Sequence, residues 1–316
     1  MRIIAPDYYP RFRCIADKCR HSCCIGWEID IDPDTRDMYR RIPGDFGARL
    51  NASIVDGEVS SFRLGAGERC PMLNASGLCD LITALGEDAL CQICADHPRF
   101  RNYFADRTEI GLGLCCEEAA RLILSQEEPV QLITLEDDGE EPDPPEYPDQ
   151  PLLESTVHGL RDILTTRMQA RELPLLSRIE WILDGMNADL LEQDLSAWVT
   201  LYKGLERLDP AWDTVLDGLD SIALPSTALD TAFEQFCVYM LYRHLPGVLE
   251  DDNYPGRVKL AAYSTVMLYY LCGAHTKKHG SCSLEDCIEY ARMYSAEIEY
   301  SQDNIAALLE AFGEES

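Results

Sequence analysis

The chain has 316 residues, 46% of them hydrophobic, and a formal net charge of −29, enough apolar material to fill one large core or two ordinary ones. The charge is uneven: 15 Lys and Arg face 21 Asp and Glu within residues 1–130, and 12 face 35 beyond them. Such a field repels phosphate backbones and anionic lipid, which argues against nucleic acid or a membrane as partner and for a basic protein; solubility alone accounts for most of the carboxylates.

Taken in chain order, Met1–Pro10 carries one Arg and no apolar run of the kind a secretory signal needs, so a cytoplasmic location is expected. Ten of the fourteen cysteines then fall within the first 116 residues, as Cys14, Cys19, Cys23 and Cys24, Cys70 and Cys79, Cys91 and Cys94, and Cys115 and Cys116. Disulfides do not persist in a reducing compartment, so clustered thiols there point to a metal or a redox centre. In an exported protein the same residues would read as a disulfide framework.

Thiolate is a soft ligand that suits zinc and iron–sulfur clusters alike, and four complete either site. Side chains of adjacent residues diverge, so Cys23 and Cys24 are not expected to share one ion; the second packs, reacts or serves another site. The group lacks the spacing of the three-cysteine loop in radical S-adenosylmethionine enzymes. Gly77 sits where a tight turn would bring Cys70 and Cys79 together, and Cys91-Gln-Ile-Cys94 is either a ligand pair or a redox dithiol.

Alternation over Trp27–Ile31 suggests a strand, and a helix is expected from Asp34 to Arg41, capped near Asp32. Gly86–Ala95 and Cys116–Leu124 read as helices. Glu136–Gln150 interleaves acidic residues with Pro142, Pro144, Pro145 and Pro148, which forbids regular helix and interior strand and marks a connector. The division is therefore a cysteine-rich metal-binding domain over 1–135, an acidic Pro-rich linker over 136–150 and an α-helical domain over 151–316. Helical periodicity is read over Leu152–Arg171, Leu175–Met186, Asp189–Leu208, Ala228–Leu245, Arg257–Cys272, Ser283–Tyr300 and Asp303–Phe312. The fold class is mainly α, with the second part an irregular bundle. The apolar stretch Leu260–Ala274 is too short to span a bilayer and is read as a buried helix.

Cys272, His275, His279, Cys282 and Cys287 form a second Cys/His group, which reads either as a zinc site or as a helix end whose Lys and His side chains complement the terminal carbonyls before Gly280. His97 is either a donor to metal-bound thiolates or a partly exposed loop residue. Arg99 and Arg101 are a compact basic pair beside the cysteines, suited to a carboxylate or to a surface ion pair.

The order Phe12-Arg-Cys14, Cys19-Arg-His-Ser-Cys23-Cys24-Ile-Gly-Trp27, Cys70-Pro-Met-Leu-Asn with Gly-Leu-Cys79, Cys94-Ala-Asp-His-Pro-Arg99 and Cys116-Glu-Glu-Ala-Ala-Arg resembles the flagellin lysine-N-methylase family, which carries a zinc- or iron-chelating domain of the CxxCxxCC type. The resemblance covers residues 8–124. It implies a cytoplasmic, S-adenosylmethionine-dependent methyltransferase acting on lysines of flagellin, with an iron–sulfur cluster of the [4Fe-4S] kind, or zinc as the alternative. Its pattern carries onto Cys14, Cys19, Cys23, Cys24, Cys70, Cys79, Cys94 and Cys116 as metal ligands; Cys91 and Cys115 fall outside it. Arg99 is the candidate grip for the donor's carboxylate. Tyr300 stands where the family usually has His, a departure that bears on activity, and no catalytic residue is assigned. No Gly-rich Rossmann fingerprint is present. A zinc-stabilised binding module without enzymatic activity and an iron–sulfur electron carrier are the rival readings.

Overall fold

The computed structural model describes residues 1–139, 149–186, 188 and 195–313. They fall into two compact units, one of Arg13–Phe100 with Cys116–Glu118, the other of Met1–Phe12, Arg101–Cys115 and the residues from Ala119 onward. Strand β1 (Arg2–Pro6) opens the chain and belongs to the second of these.

Short elements make up the cysteine-rich unit: β2 (Asp30–Ile31), α1 (Pro33–Arg40), α2 (Gly44–Ala52), β3 (Ile54–Val55), β4 (Ser60–Phe62), α3 (Asp80–Leu85) and α4 (Gln92–Asp96). Asp32 caps α1 by accepting from Thr35 N at 2.9 Å, and its other oxygen accepts from Gln92 N at 2.9 Å, so one carboxylate starts two helices. Of the strand expected over Trp27–Ile31 only β2 is regular, paired antiparallel with β4, which also pairs with β3. The single helix expected over Gly86–Ala95 is broken in two. Gly86 lies at φ 91°, and Leu90 and Cys91 are extended, so a 3-10 turn at Glu87–Ala89 precedes α4. Ile29, Ile31, Tyr39, Leu50 and Met72 form a small core with Cys70 and Cys91 in it.

The larger unit holds a sheet that the sequence reading did not anticipate. Strands β5 (Arg99–Tyr103), β6 (Arg107–Leu112) and β7 (Leu132–Asp137) join β1 in the order β5-β6-β1-β7, with β1 parallel to β6 and antiparallel to β7. Between β6 and β7 runs α5 (Glu117–Leu124). Residues from both ends of the 1–135 segment therefore lie with the helices. Of the linker drawn over 136–150, residues 136 and 137 close β7, Gln150 opens a helix, and 140–148 lie outside the described residues.

The helices follow as α6 (Gln150–Met168), α7 (Leu175–Asp184), α8 (Leu195–Lys203), α9 (Ala211–Asp217), α10 (Asp230–His244), α11 (Val248–Asp251), α12 (Tyr254–His279), α13 (Leu284–Tyr294) and α14 (Gln302–Gly313). The helix expected from Asp189 starts outside the described residues and is seen from Leu195. Helices α10 and α12 are buried on nearly every side, as core helices are. Leu260–Ala274 lies inside α12, and no described helix is long and apolar enough to cross a membrane. The helix expected over Ser283–Tyr300 ends at Tyr294, and a π-helical turn covers Ser295–Glu299. The mainly helical expectation holds.

Candidate functional site

In the cysteine-rich unit local hydrogen bonds gather the thiols. A 3-10 turn at Ala16–Lys18 separates Cys14 from Cys19, and the Cys14 sulfur accepts from Ala16 N at 3.4 Å. Glu117 accepts from Arg20 N at 2.8 Å and Arg20 Nε at 2.9 Å, with the Cys19 thiol 3.8 Å from the same carboxylate, which holds this loop beside Cys116. Cys70 N donates to Cys24 O at 2.8 Å. The Cys70–Cys79 segment returns on itself as its glycine suggested: Gly77 sits at φ 76°, Asn74 Oδ1 accepts from Ser76 N and Leu78 N, and Leu73 bridges to Cys79.

None of the fourteen cysteines is in a disulfide. Cys19 lies within electrostatic reach of Cys14 and Cys116, and so does Cys23. Cys70 and Cys79 are within reach of Cys24, and Cys94 is within reach of Cys24, Cys70 and Cys91. The thiols of the adjacent pair do not diverge as expected but are hydrogen-bonded to each other, with Cys14 and Cys116 within reach of Cys23 and Cys70, Cys79 and Cys94 within reach of Cys24. A hydrogen bond from Cys23, helped by Ser22 and Arg69, draws the Cys24 thiol down to about 7 against the effect of burial. Burial lifts Cys19 and Cys70 to about 11. The Cys91 thiol is fully buried and hydrogen-bonded to Cys94.

Among the described residues no three Cys, His, Asp or Glu side chains converge into a group that would hold a metal ion. No preformed tetrahedral site is therefore present, and the fit to a metal rests on the donor set: free thiols, from segments far apart in sequence, folded into one small unit. His97 is half-buried with its ring 6.0 Å from that of Trp27, and burial holds it near 4, so it is neutral. Arg99 donates to Ala95 O at 3.1 Å, at the end of α4.

The larger unit contains a second constellation, absent from the sequence reading. Glu299, in the π-helical turn, is 8% exposed and accepts from Tyr239 OH at 2.9 Å and from His244 Nε2 at 2.7 Å, with Arg243 Nε at 3.3 Å. Burial pushes this carboxyl up, but Arg243 and His244 outweigh it and hold the group at about 2. Burial pushes His244 below the ordinary imidazole range, against the opposing pull of Glu299. The Tyr239 oxygen also accepts from Arg243 Nη1 at 2.7 Å and Leu114 N at 3.3 Å. Arg243 lies 5.3 Å from the centre of the Tyr300 ring; Tyr300 is 48% exposed, and its hydroxyl meets the Cys115 thiol. The π turn brings this about, because its extra residue rotates Glu297 and Glu299 inward together. Glu297 accepts from Arg207 Nη1 at 2.7 Å, Leu208 N at 3.0 Å and Asp209 N at 2.8 Å. The available signal was two glutamates two residues apart in a segment otherwise patterned for burial.

Tyr239 is also a wall of a cavity of about 510 Å³, shared with Tyr8, Tyr242, Arg161, Asp162 and Gln235. Glu109 accepts from Arg161 at 2.5 and 2.7 Å and also pairs at 3.1 Å with Arg107, a second arginine of the cavity wall. The Arg161 guanidinium lies 5.2 Å from the centre of the Tyr242 ring, so the cavity wall joins tyrosines to two arginines that share one carboxylate.

Residues 110–316, about two thirds of the chain and including this whole Glu299 array, match the family described as the FliB lysine N-methylase C-terminal domain. The chain belongs to the FliB lysine N-methylase family. It is 29% identical over 140 residues to the lysine-N-methylases of Salmonella typhimurium and Salmonella choleraesuis, covering 41% of this chain and 34% of each of them. It is 28% identical over 140 residues to the flagellar biosynthetic protein FliU of Salmonella muenchen, covering 81% of that protein. The match thus spans about a third of the length of the curated FliB-type methylases. No solved structure matches the chain.

Proposed function

We propose that this chain is a protein-lysine N-methyltransferase that moves a methyl group from S-adenosylmethionine to lysine side chains of flagellin. Membership of the FliB family over residues 110–316 carries this reading. In the reaction the neutral lysine nitrogen attacks the methyl carbon, the C–N bond forms as the S–C bond breaks, S-adenosylhomocysteine leaves, and the nitrogen sheds a proton.

The arrangement around Tyr239 supports that chemistry. Both reactants carry or develop positive charge, on sulfur before transfer and on nitrogen after it. Tyr8 and Tyr239 line the cavity such a cation would enter, and Glu299, held ionised, accepts from the Tyr239 hydroxyl. Glu109 offsets Arg161 and Arg107 together, Asp162 adds a carboxylate to the wall, and Glu299 offsets Arg243. The dense carboxylates beyond residue 130 favour approach of a lysine-bearing partner.

The proposal includes an iron–sulfur cluster of the [4Fe-4S] kind, its four ligands drawn from Cys14, Cys19, Cys23, Cys24, Cys70, Cys79, Cys94 and Cys116. When bound it would supply iron–thiolate bonds and a centre able to exchange an electron. These residues would hold it and fix the loops between them.

Incubating the anaerobically purified protein with methyl-labelled donor and flagellin tests the function. Acid-stable label on flagellin lysines is expected. A protein that binds S-adenosylhomocysteine yet leaves flagellin unlabelled would overturn the assigned reaction.

A further inference from the structure

Away from both constellations, three thiols meet at the hairpin between α12 and α13. Cys272 lies two turns before the end of α12, Cys282 in the connection, and Cys287 one turn into α13. The Cys272 thiol is hydrogen-bonded to both Cys282 and Cys287. Cys272 and Cys287 are wholly buried, whereas Cys282 keeps 8% exposure.

The connection is fixed from both sides. Gly280, at φ 90°, ends α12 by donating to Thr276 O at 2.8 Å, and Ser283 opens α13 with a capping box completed by Asp286. Cys282 therefore sits immediately before the N-terminus of an eleven-residue helix and shortly after the Lys277, Lys278 and His279 turn. The helix N-terminus favours a thiolate there. Of the two readings of this segment, the helix end with Lys277, Lys278 and His279 before Gly280 is present, and among the described residues no group that would hold a metal ion is found. The histidines are engaged elsewhere: His275 Nδ1 is 3.0 Å from Tyr290 OH and its Nε2 is 3.6 Å from Asp286. Thiol chemistry suits this nest better than a Cys/His metal site.

We propose that Cys282 and Cys272 form a redox-active dithiol that takes a hydroperoxide as oxidant and closes to a disulfide across the α12–α13 hairpin. The Cys282 thiolate attacks one peroxide oxygen; the S–O bond forms as the O–O bond breaks, and the departing hydroxide or alkoxide takes up a proton. Cys272 then attacks the Cys282 sulfur, the S–S bond forms, and hydroxide leaves with the Cys272 proton as water. Two sulfurs are each oxidised by one electron, and the peroxide is reduced by two. The hydrogen bond from Cys272 lowers the Cys282 thiol, with the Asp286 carboxylate opposing it. The nearby buried Cys237 has no thiol partner of this kind and burial pushes it up to about 12, so it serves as an internal reference.

The test is peptide mapping of the full-length protein, purified reduced, titrated with hydrogen peroxide, alkylated and digested without reductant. A Cys272–Cys282 cross-linked peptide is expected while Cys237 is still alkylated. Cys287→Ser should keep the cross-link, and Cys272→Ser should leave a dimedone-reactive sulfenic acid on Cys282. Recovery of Cys272 and Cys282 as alkylated thiols at peroxide levels that oxidise Cys237, or a Cys272–Cys287 bond in place of the expected one, would overturn the proposal. Wild-type mapping alone decides this, whether or not either variant folds.

Discussion

Glu299 gathers two basic side chains and a tyrosine hydroxyl on one buried carboxylate. Arg243 and His244 are buried against it, and removing one member of a buried ion pair strands the other. Glu299→Gln should therefore cost about 3–5 kcal/mol in chemical denaturation. Tyr300→Phe, at a half-exposed ring, should cost less than about 1 kcal/mol. The pH dependence follows from the same groups. Glu299 titrates near 2 when folded and near an ordinary carboxylate value of about 4.3 when unfolded. The unfolded chain takes the proton first, so this stability is present above about 4.3 and lost as pH falls toward 2. Burial first, then Arg107, depresses His158 to about 4, against about 6.5 unfolded. Its contribution is lost as pH falls from about 6.5 to 4. Urea midpoints should thus decline in two acid steps, and His158→Phe should make the upper one smaller without removing it, since His97 is depressed to about 4 as well. An unchanged upper step would contradict the assignment.

Among the elements, those written by local chemistry were legible. The Asp32 cap, the Gly77 return and the periodic helices from α6 onward all follow from neighbours in sequence. What escaped was set by distant partners. Arg2–Pro6 becomes a strand only because β6 and β7 lie on either side of it, and Glu299 joins Arg243 only because a π turn rotates it inward. The thiols stand between these cases: their clustering was readable, but the hydrogen bond between Cys23 and Cys24 was not. Two predictions belong at this scale. A Cβ on Gly77 would meet Asp17 at 3.5 Å and force a side chain into φ 76°, so Gly77→Ala should lower stability by about 1 kcal/mol. Cys14→Ser and Cys70→Ser should each lose bound iron together with folded structure, read by metal analysis and circular dichroism on the same samples, since ligand binding and folding are linked. Full iron content in both variants would contradict the ligand proposal.

For the molecule as a whole, charge and family membership point the same way. A chain of net charge −29 draws a cationic partner from a distance and less so in salt, so methylation of flagellin should slow as ionic strength rises. The family match covers the Glu299 array and most of the unit that holds it, whereas seven of the eight cysteines proposed as ligands lie before residue 110. Donor binding should accordingly survive some loss of the thiol unit's order but not Tyr239→Ala. The most direct measurement is the intact mass of flagellin after anaerobic incubation with this protein and S-adenosylmethionine, followed by mapping of the modified residues. The account predicts added methyl masses on lysine side chains, in proportion to S-adenosylhomocysteine formed. Unmodified flagellin, from a protein that is folded, loaded with iron and able to bind the donor, would contradict it.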